Sequence, residues 1–288
     1  MCILCTTDHS TLTKLKMYIL CTNDKSTLIN LTKLNCFSCL LLKEIPPILI
    51  NLTQLDCSYC CLLKEIPPTL NNLTQLDCSS CHLLEEIPST LTNLTRLICY
   101  RCPLLKKIPS TLSKLKVLIC SYCYQLKEIP STLTNLQTLN CYMCQSLKDI
   151  PSTLTNLQYL NCFHCPLLKQ FPTLTNLTRL DCSECKQLKE IPSTLTNLIE
   201  LNCSNCTQLY YIGIKNEPTY YNFSNTRFAN YNWITHQDRF KYKIANRRIN
   251  KFMYKLYIRK QKQRILALNL WYYGLKDVRD IILENLIK

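Results

Sequence analysis

Glycine is almost missing from this chain: 288 residues contain only Gly213 and Gly274. A glycine-rich loop that lets backbone amides close around a phosphate is therefore absent, which removes the usual nucleotide-binding motifs. Long apolar runs are missing as well. No stretch reaches the ~18 consecutive apolar residues of a spanning helix, so none is expected. The four histidines, His9, His82, His164 and His236, are scattered, and no catalytic constellation emerges. The opening MCILCTTDHSTLTK has neither a basic start nor a long apolar core, so no secretory signal is expected. With 22 cysteines and no such signal, a reducing, cytoplasmic setting is expected.

What is present is a repeat. Leucines recur at Leu31, Leu52, Leu73, Leu94, Leu115, Leu136, Leu157, Leu177 and Leu198, 21 residues apart except between Leu157 and Leu177. There IPSTL shortens to FPTL, with one residue lost between Pro172 and Leu174. A fixed period of this length marks a solenoid, in which each coil buries its apolar side only against its neighbours. Counting the leucine as position 1, apolar residues fall at positions 1, 4, 6, 9, 12, 15 and 19. In one unit these are Leu52, Leu55, Cys57, Cys60, Leu63, Ile66 and Leu70. The opening alternation predicts a strand over positions 2 to 8. Ile-Pro at positions 15 and 16, as in Ile66-Pro67, removes an amide donor and predicts extended or 3₁₀ turns instead of a long helix. Coils stacked at about 4.8 Å give a parallel sheet along one side.

The pattern LxxLxCxxCxxLxxIPxxLxxL resembles the leucine-rich repeat, close to its LxxLxLxxNxLxxIP form. It departs from that form at two places, with cysteine for leucine at position 6 and cysteine for asparagine at position 9. The extra residue before the next leucine is similar to cysteine-bearing variants, including those of plant disease-resistance proteins. The resemblance covers roughly residues 1–212. It implies an α/β horseshoe with a parallel β-sheet on the concave face and few or no long helices on the convex side. It says little about function, because one fold hosts many roles.

Three segments follow. Residues 1–30 hold two shrunken units, LCTTDHSTLTKL and LCTNDKSTLINL. Residues 31–212 form an array of nine units. Residues 213–288 form a basic, mostly helical tail: an irregular aromatic-rich connector over 213–235, a helix over 237–264 and a second over 275–288. Asn-Leu-Thr triplets such as Asn51-Leu52-Thr53 and Asn93-Leu94-Thr95 read as framing residues of the repeat and not as glycosylation acceptors.

Nine CxxC pairs run from Cys36/Cys39 to Cys203/Cys206. Such spacing can serve zinc. The repeat frame favours another reading, since both cysteines occupy inward positions. The first is then a small apolar core residue, and the second satisfies backbone where asparagine normally stands. No metal and no cofactor is expected.

Positions 3, 5, 7 and 8 are expected to face the concave surface, for example Gln54, Asp56, Ser58 and Tyr59, or Val117, Ile119, Ser121 and Tyr122. These vary while the frame stays fixed. Candidate partner-binding residues are Tyr59, Arg96, Tyr100, Arg101, Tyr122, Tyr142, Tyr159, Phe163 and His164. Tyrosine and arginine are enriched at binding hot spots. Stacking of the rings along the sheet is the bland alternative.

From Arg239 to Arg264 eleven Lys or Arg occur with no acid, and Arg247, Arg248, Lys251, Lys255, Arg259 and Lys260 are the candidate basic patch. Such a helix can cap the open end of the array, or attach to nucleic acid or an anionic membrane. Some leucine-rich-repeat effectors carry a C-terminal ubiquitin ligase with a cysteine nucleophile; this tail has no cysteine, so no enzyme is expected. The cysteine-rich repeats, scarce glycine and Asn/Ile/Lys/Tyr-rich tail are similar in style to leucine-rich-repeat proteins of giant DNA viruses of amoebae. That resemblance implies a viral source, a host-protein partner and a place in the host cytoplasm.

Overall fold

A computed structural model describes residues 29–214 and 218–226, all within the compact unit Met1–Trp233. The shrunken N-terminal units and the basic tail with Arg247, Arg248, Lys251, Lys255, Arg259 and Lys260 lie outside the described residues.

The array is a parallel solenoid. Each coil contributes one short strand: β1 (Lys33–Asn35), β2 (Gln54–Asp56), β3 (Gln75–Asp77), β4 (Arg96–Ile98), β5 (Val117–Ile119), β6 (Thr138–Asn140), β7 (Tyr159–Asn161) and β8 (Arg179–Asp181). Further along come β9 (Glu190–Ile191), β10 (Glu200–Asn202), β11 (Tyr211–Ile212) and β12 (Tyr220–Asn222). A ten-stranded sheet runs β1 through β8, then β10 and β12, with every pairing parallel and in repeat register. The centre residue of each strand from β2 to β8 and of β10 is buried while its two neighbours are not, so positions 3 and 5 face outward. The shortened unit is absorbed in the turns, since Tyr159 pairs with Arg179 in unbroken register.

The strands are shorter than the sequence pattern predicts. They cover positions 3 to 5, not 2 to 8, because position 8 of every described coil adopts a left-handed backbone. Ser38, Tyr59, Ser80, Arg101, Tyr122, Met143, His164, Glu184, Asn205 and Asn225 have φ between 53° and 61°. CxxC is therefore a tight turn, in which the Cys60 amide donates to the Cys57 carbonyl at 3.2 Å. A positive φ at the third residue suits glycine or asparagine, and this chain mostly supplies neither. The geometry is held by the next coil: the Tyr122 amide donates to the Tyr142 carbonyl and the Arg101 amide to the Ser121 carbonyl.

From that turn onward the backbone proceeds by hydrogen bonds spanning three residues. Leu63 donates to Cys60, Leu70 to Pro67 and Leu73 to Leu70. Apolar residues every third position thus keep pointing inward without a helix, and no helix occurs between Thr32 and Ile214. Proline at position 16 accepts but cannot donate, so the back arcs do not pair as strands. Where Gly213 replaces that proline, its amide reaches the Ile191 carbonyl at 2.7 Å, and β11 pairs with β9.

Leucines, isoleucines and both cysteine columns form one continuous core. The position-9 cysteines do what asparagine does elsewhere. Cys102 Sγ donates to the Cys78 carbonyl at 3.2 Å and Cys123 Sγ to the Cys99 carbonyl at 3.1 Å. The position-6 thiols point forward instead, Cys99 Sγ to the Ile119 carbonyl at 3.6 Å. Asparagines at position 21 form a second ladder, Asn51 Nδ2 donating to the Ile29 carbonyl and Asn93 Nδ2 to the Asn71 carbonyl. The Asn-Leu-Thr triplets frame the repeat.

Residues 218–226, expected to be part of an irregular connector, form one more turn of the solenoid. Strand β12 pairs with β10, Tyr221 packs on the core, and Asn225 takes the left-handed position. Phe223 and Thr226 stand where the two cysteines would be.

Left-handed backbone at a residue with a side chain costs on the order of 1 kcal/mol or more. Met143, at φ 61°, makes no ring contact, ion pair or side-chain hydrogen bond among the described residues. Met143→Asn is therefore expected to stabilise the protein by about 1 kcal/mol, raising Tm by roughly 2–4 °C. A fall in Tm on calorimetry would contradict the strain.

Candidate recognition surface

The outward columns divide by chemistry. At position 5 nearly every coil carries Asn or Asp, and its Oδ1 caps the turn that follows. Asp56 accepts from the Ser58 amide at 3.0 Å, Asn161 from the Phe163 amide at 3.0 Å, and Asp181 from the Ser183 amide at 3.0 Å. The serine hydroxyls of Ser58, Ser79 and Ser183 donate to the same carboxylates. Those serines are buried, as are Ser121 and Ser204, so the expectation that position 7, as at Ser58 and Ser121, faces the concave surface is corrected for the serines, Ser183 included. The hydrogen-bonded cap draws a small polar side chain inward.

Two neighbouring coils break this polar column. Ile98 and Ile119 replace the capping residue and pair in register across β4 and β5, with Val117 beside them at position 3. All three are half-buried on the outward side of the sheet. Beside them, at positions 7 and 8, lies a ribbon of rings. Tyr100 meets Tyr122 edge-on at 5.4 Å, Tyr122 meets Tyr142 at 4.7 Å, and Tyr142 meets Phe163 at 5.1 Å. Tyr124 also meets Tyr122, at 6.1 Å, and Phe163 lies 6.0 Å from the His164 ring. The Arg101 guanidinium sits 5.5 Å from the Tyr100 ring and 5.3 Å from the Tyr122 ring, a cation–π arrangement. The Tyr122 and Tyr142 hydroxyls hydrogen-bond to each other. That bond, and secondarily burial, pushes the Tyr142 phenol up to about 12.

The structure brings Tyr100, Arg101, Tyr122, Tyr142, Phe163 and His164 together. Tyr59 lies apart, edge-on to Phe37 at 5.4 Å, with 43% of its surface exposed. Arg96 and Tyr159 sit on the strands themselves, in β4 and β7. His164 Nδ1 pairs with Glu184 Oε2 at 2.9 Å, and Arg179 with Glu200 at 3.3 Å. Phe37, Tyr124, Ile98, Val117 and Ile119 were not among the candidate partner-binding residues, although Val117 and Ile119 were expected to face the same surface. The two isoleucines had a readable signal, a hydrophobic interruption in an Asn/Asp column. Among the described residues no group of three or more His, Cys, Asp or Glu is placed to hold a metal, and no helix is long and apolar enough to cross a membrane.

Residues 51–73, 72–94 and 176–198 match the Leucine Rich Repeat family. The chain is a leucine-rich repeat protein, and its array is a leucine-rich-repeat solenoid. The leucine-rich repeat domain of the type III effector XCV3220 (XopL) superposes with a TM-score of 0.55 at 20% identity, covering 72% of this chain and 79% of that one. The Arabidopsis receptor kinase HAESA, solved with the peptide hormone IDA and the co-receptor SERK1, gives 0.45 at 24% identity, covering 67% of this chain and 39% of that one. This chain thus spans well under half of that receptor chain. The InlJ functional domain from Listeria monocytogenes, which includes a cysteine ladder, gives 0.27 at 18% identity, covering 70% and 65%. No curated protein sequence matches significantly.

Proposed function

We propose that this protein is a non-catalytic recognition scaffold that binds a partner protein on its sheet face, the expected concave side, in a cytosolic setting. The observation that carries this reading is the ribbon Tyr100–Arg101–Tyr122–Tyr142–Phe163 beside the apolar pair Ile98 and Ile119. Rings locked edge-to-face lose little freedom on binding, and Tyr and Arg supply large area with polar tips. A cost built into the backbone points the same way. Arg101, Tyr122 and His164 occupy left-handed positions where asparagine, present at Asn205 and Asn225, is easier to accommodate. Leucine-rich-repeat neighbours solved with peptide hormones and co-receptors support a protein partner.

The test is capture from cell lysate with the full chain and with the full chain carrying Tyr100→Ala, Arg101→Ala and Tyr122→Ala. Each truncation at a hot spot costs on the order of 2 kcal/mol, so partner recovery is expected to fall more than a hundredfold. Equal recovery by both would remove the recognition surface from this face. A second reading rests on the eleven cations between Arg239 and Arg264: attachment of the tail to nucleic acid or an anionic membrane. Captured material that is nucleic acid or lipid, released steeply by salt and indifferent to the triple substitution, would favour it.

A further inference from the structure

We infer that the partner segment taken by this surface is an extended acidic peptide with an apolar or aromatic side chain next to its acid. The inference rests on the recognition reading above and names the chemistry of what it binds.

Charge along the sheet face is arranged unevenly. At the end of the array the polar groups are already paired, Arg179 with Glu200 at 3.3 Å and His164 Nδ1 with Glu184 Oε2 at 2.9 Å. At the start, Asp56 and Asp77 are occupied in capping Ser58 and Ser79. In the coil between them, Arg96 and Arg101 make no ion pair among the described residues, and both are exposed. They bracket Ile98 on the same coil, and Ile119 and Val117 continue the apolar surface onto the next. Arg101 is not free to wander, because Tyr100 and Tyr122 hold its guanidinium by cation–π contact while its planar edge keeps its donors. A fixed, unpaired guanidinium beside a half-buried apolar strip suits a carboxylate followed by an apolar side chain. A basic partner would bring like charge onto Arg96 and Arg101, and a wholly apolar one would leave both cations uncompensated where the partner covers them.

Size fits as well. From the coil of Arg101 to that of Phe163 is three coil steps of about 4.8 Å, so roughly 14 Å. An extended chain covers that with four or five residues at about 3.3 Å each. The acid lies over Arg96 and Arg101, the apolar residue over Ile98 and Ile119, and the remaining residues cross Tyr122 and Tyr142.

The test is selection of random 12-residue peptides displayed on phage against the full chain. A parallel selection uses the full chain carrying Arg96→Glu and Arg101→Glu. Glutamate already occupies the equivalent positions of other coils as Glu200 and Glu184, so both substitutions fit the frame. The native chain is expected to enrich peptides with Asp or Glu within four residues of an aromatic or aliphatic residue. The charge-reversed chain should bind those peptides at least about tenfold more weakly and enrich Lys/Arg peptides instead. Acidic peptides selected equally by both chains would overturn the assignment, since they would be binding the basic tail. Neutral or basic peptides that are lost on Tyr122→Ala would overturn the acidic class while leaving recognition by this face intact. No peptide sensitive to Arg96, Arg101 or Tyr122 would overturn both.

Discussion

Titrated from pH 8 to pH 11, the protein is expected to lose its solenoid in one steep step that begins near pH 9. Eight position-6 thiols, Cys57, Cys78, Cys99, Cys120, Cys141, Cys162, Cys182 and Cys203, are held well above the ordinary thiol value of 9.0. For the first five the leading cause is a hydrogen bond with the position-9 cysteine of the following coil, for example Cys99 with Cys123, with burial second. For Cys162, Cys182 and Cys203 burial comes first. A raised thiol in the folded state contributes stability that is complete below the unfolded value and is lost as pH climbs toward the folded one. Each such thiol contributes a slope of about 1.4 kcal/mol per pH unit, and eight together approach ~11 kcal/mol per unit. Domain stabilities are about 5–15 kcal/mol, so a step of one or two pH units suffices. Cys60 opposes the trend slightly, its value lowered by its hydrogen bond with Cys36. Circular dichroism against pH reads the step. Cys99→Val with Cys120→Val, which keep the strand-end amides that donate to Ile119 and Asn140, should make it shallower by about two protons. Unchanged steepness would mean that these thiols ionise inside the folded array.

The second large effect is Leu118→Ala. Leu118 is fully buried at the centre of β5, with Leu97 and Leu139 in register on either side. Removing its branched end leaves a cavity that the two flanking leucine rows cannot fill without breaking register, at a cost of about 2–5 kcal/mol. In a stack each coil rests only on its neighbours, so a defect at β5 also weakens the coupling between the two halves. Urea unfolding is expected to shift to a lower midpoint and to broaden. Val117→Ala, one residue away on the outward face, should stay within roughly 0.5 kcal/mol. Equal losses for the two would contradict the assignment of inner and outer faces.

The solenoid was readable because the apolar columns repeat through nine units with one single-residue deletion. A leucine every 21 residues at all but one step, Ile-Pro in most back arcs and two inward cysteines leave one way to wind the chain. The cysteine ladder was readable for the same reason, as its positions coincide with those of leucine and asparagine in the related repeat. The strand length was not. It is set by the left-handed turn at position 8, and with Tyr122, Arg101 or Met143 there instead of glycine or asparagine the sequence gives no sign of a positive φ. The burial of Ser58 and Ser121 was hidden because it depends on hydrogen bonds, Ser58 to Asp56 and Ser121 to Asn140. The last turn was hidden by Phe223 and Thr226, which keep the shape of the cysteine turn with different side chains, the Thr226 hydroxyl donating to the Phe223 carbonyl at 2.7 Å. Of the candidate surface, the rings were visible and their contiguity was not: Tyr59 lies outside the ribbon, and Ile98 and Ile119 lie beside it.

Recognition by this face is tested most directly by Arg101→Asn combined with Tyr122→Asn in the full chain. Asparagine accepts the left-handed turn, as Asn205 and Asn225 do, so strain relief offsets the lost ring contacts and the fold is kept. Melting temperature and partner capture are measured on the same preparation. The expected result is a Tm within a few degrees of the native protein together with loss of partner binding. Native-level capture by a folded double variant would contradict recognition through this face.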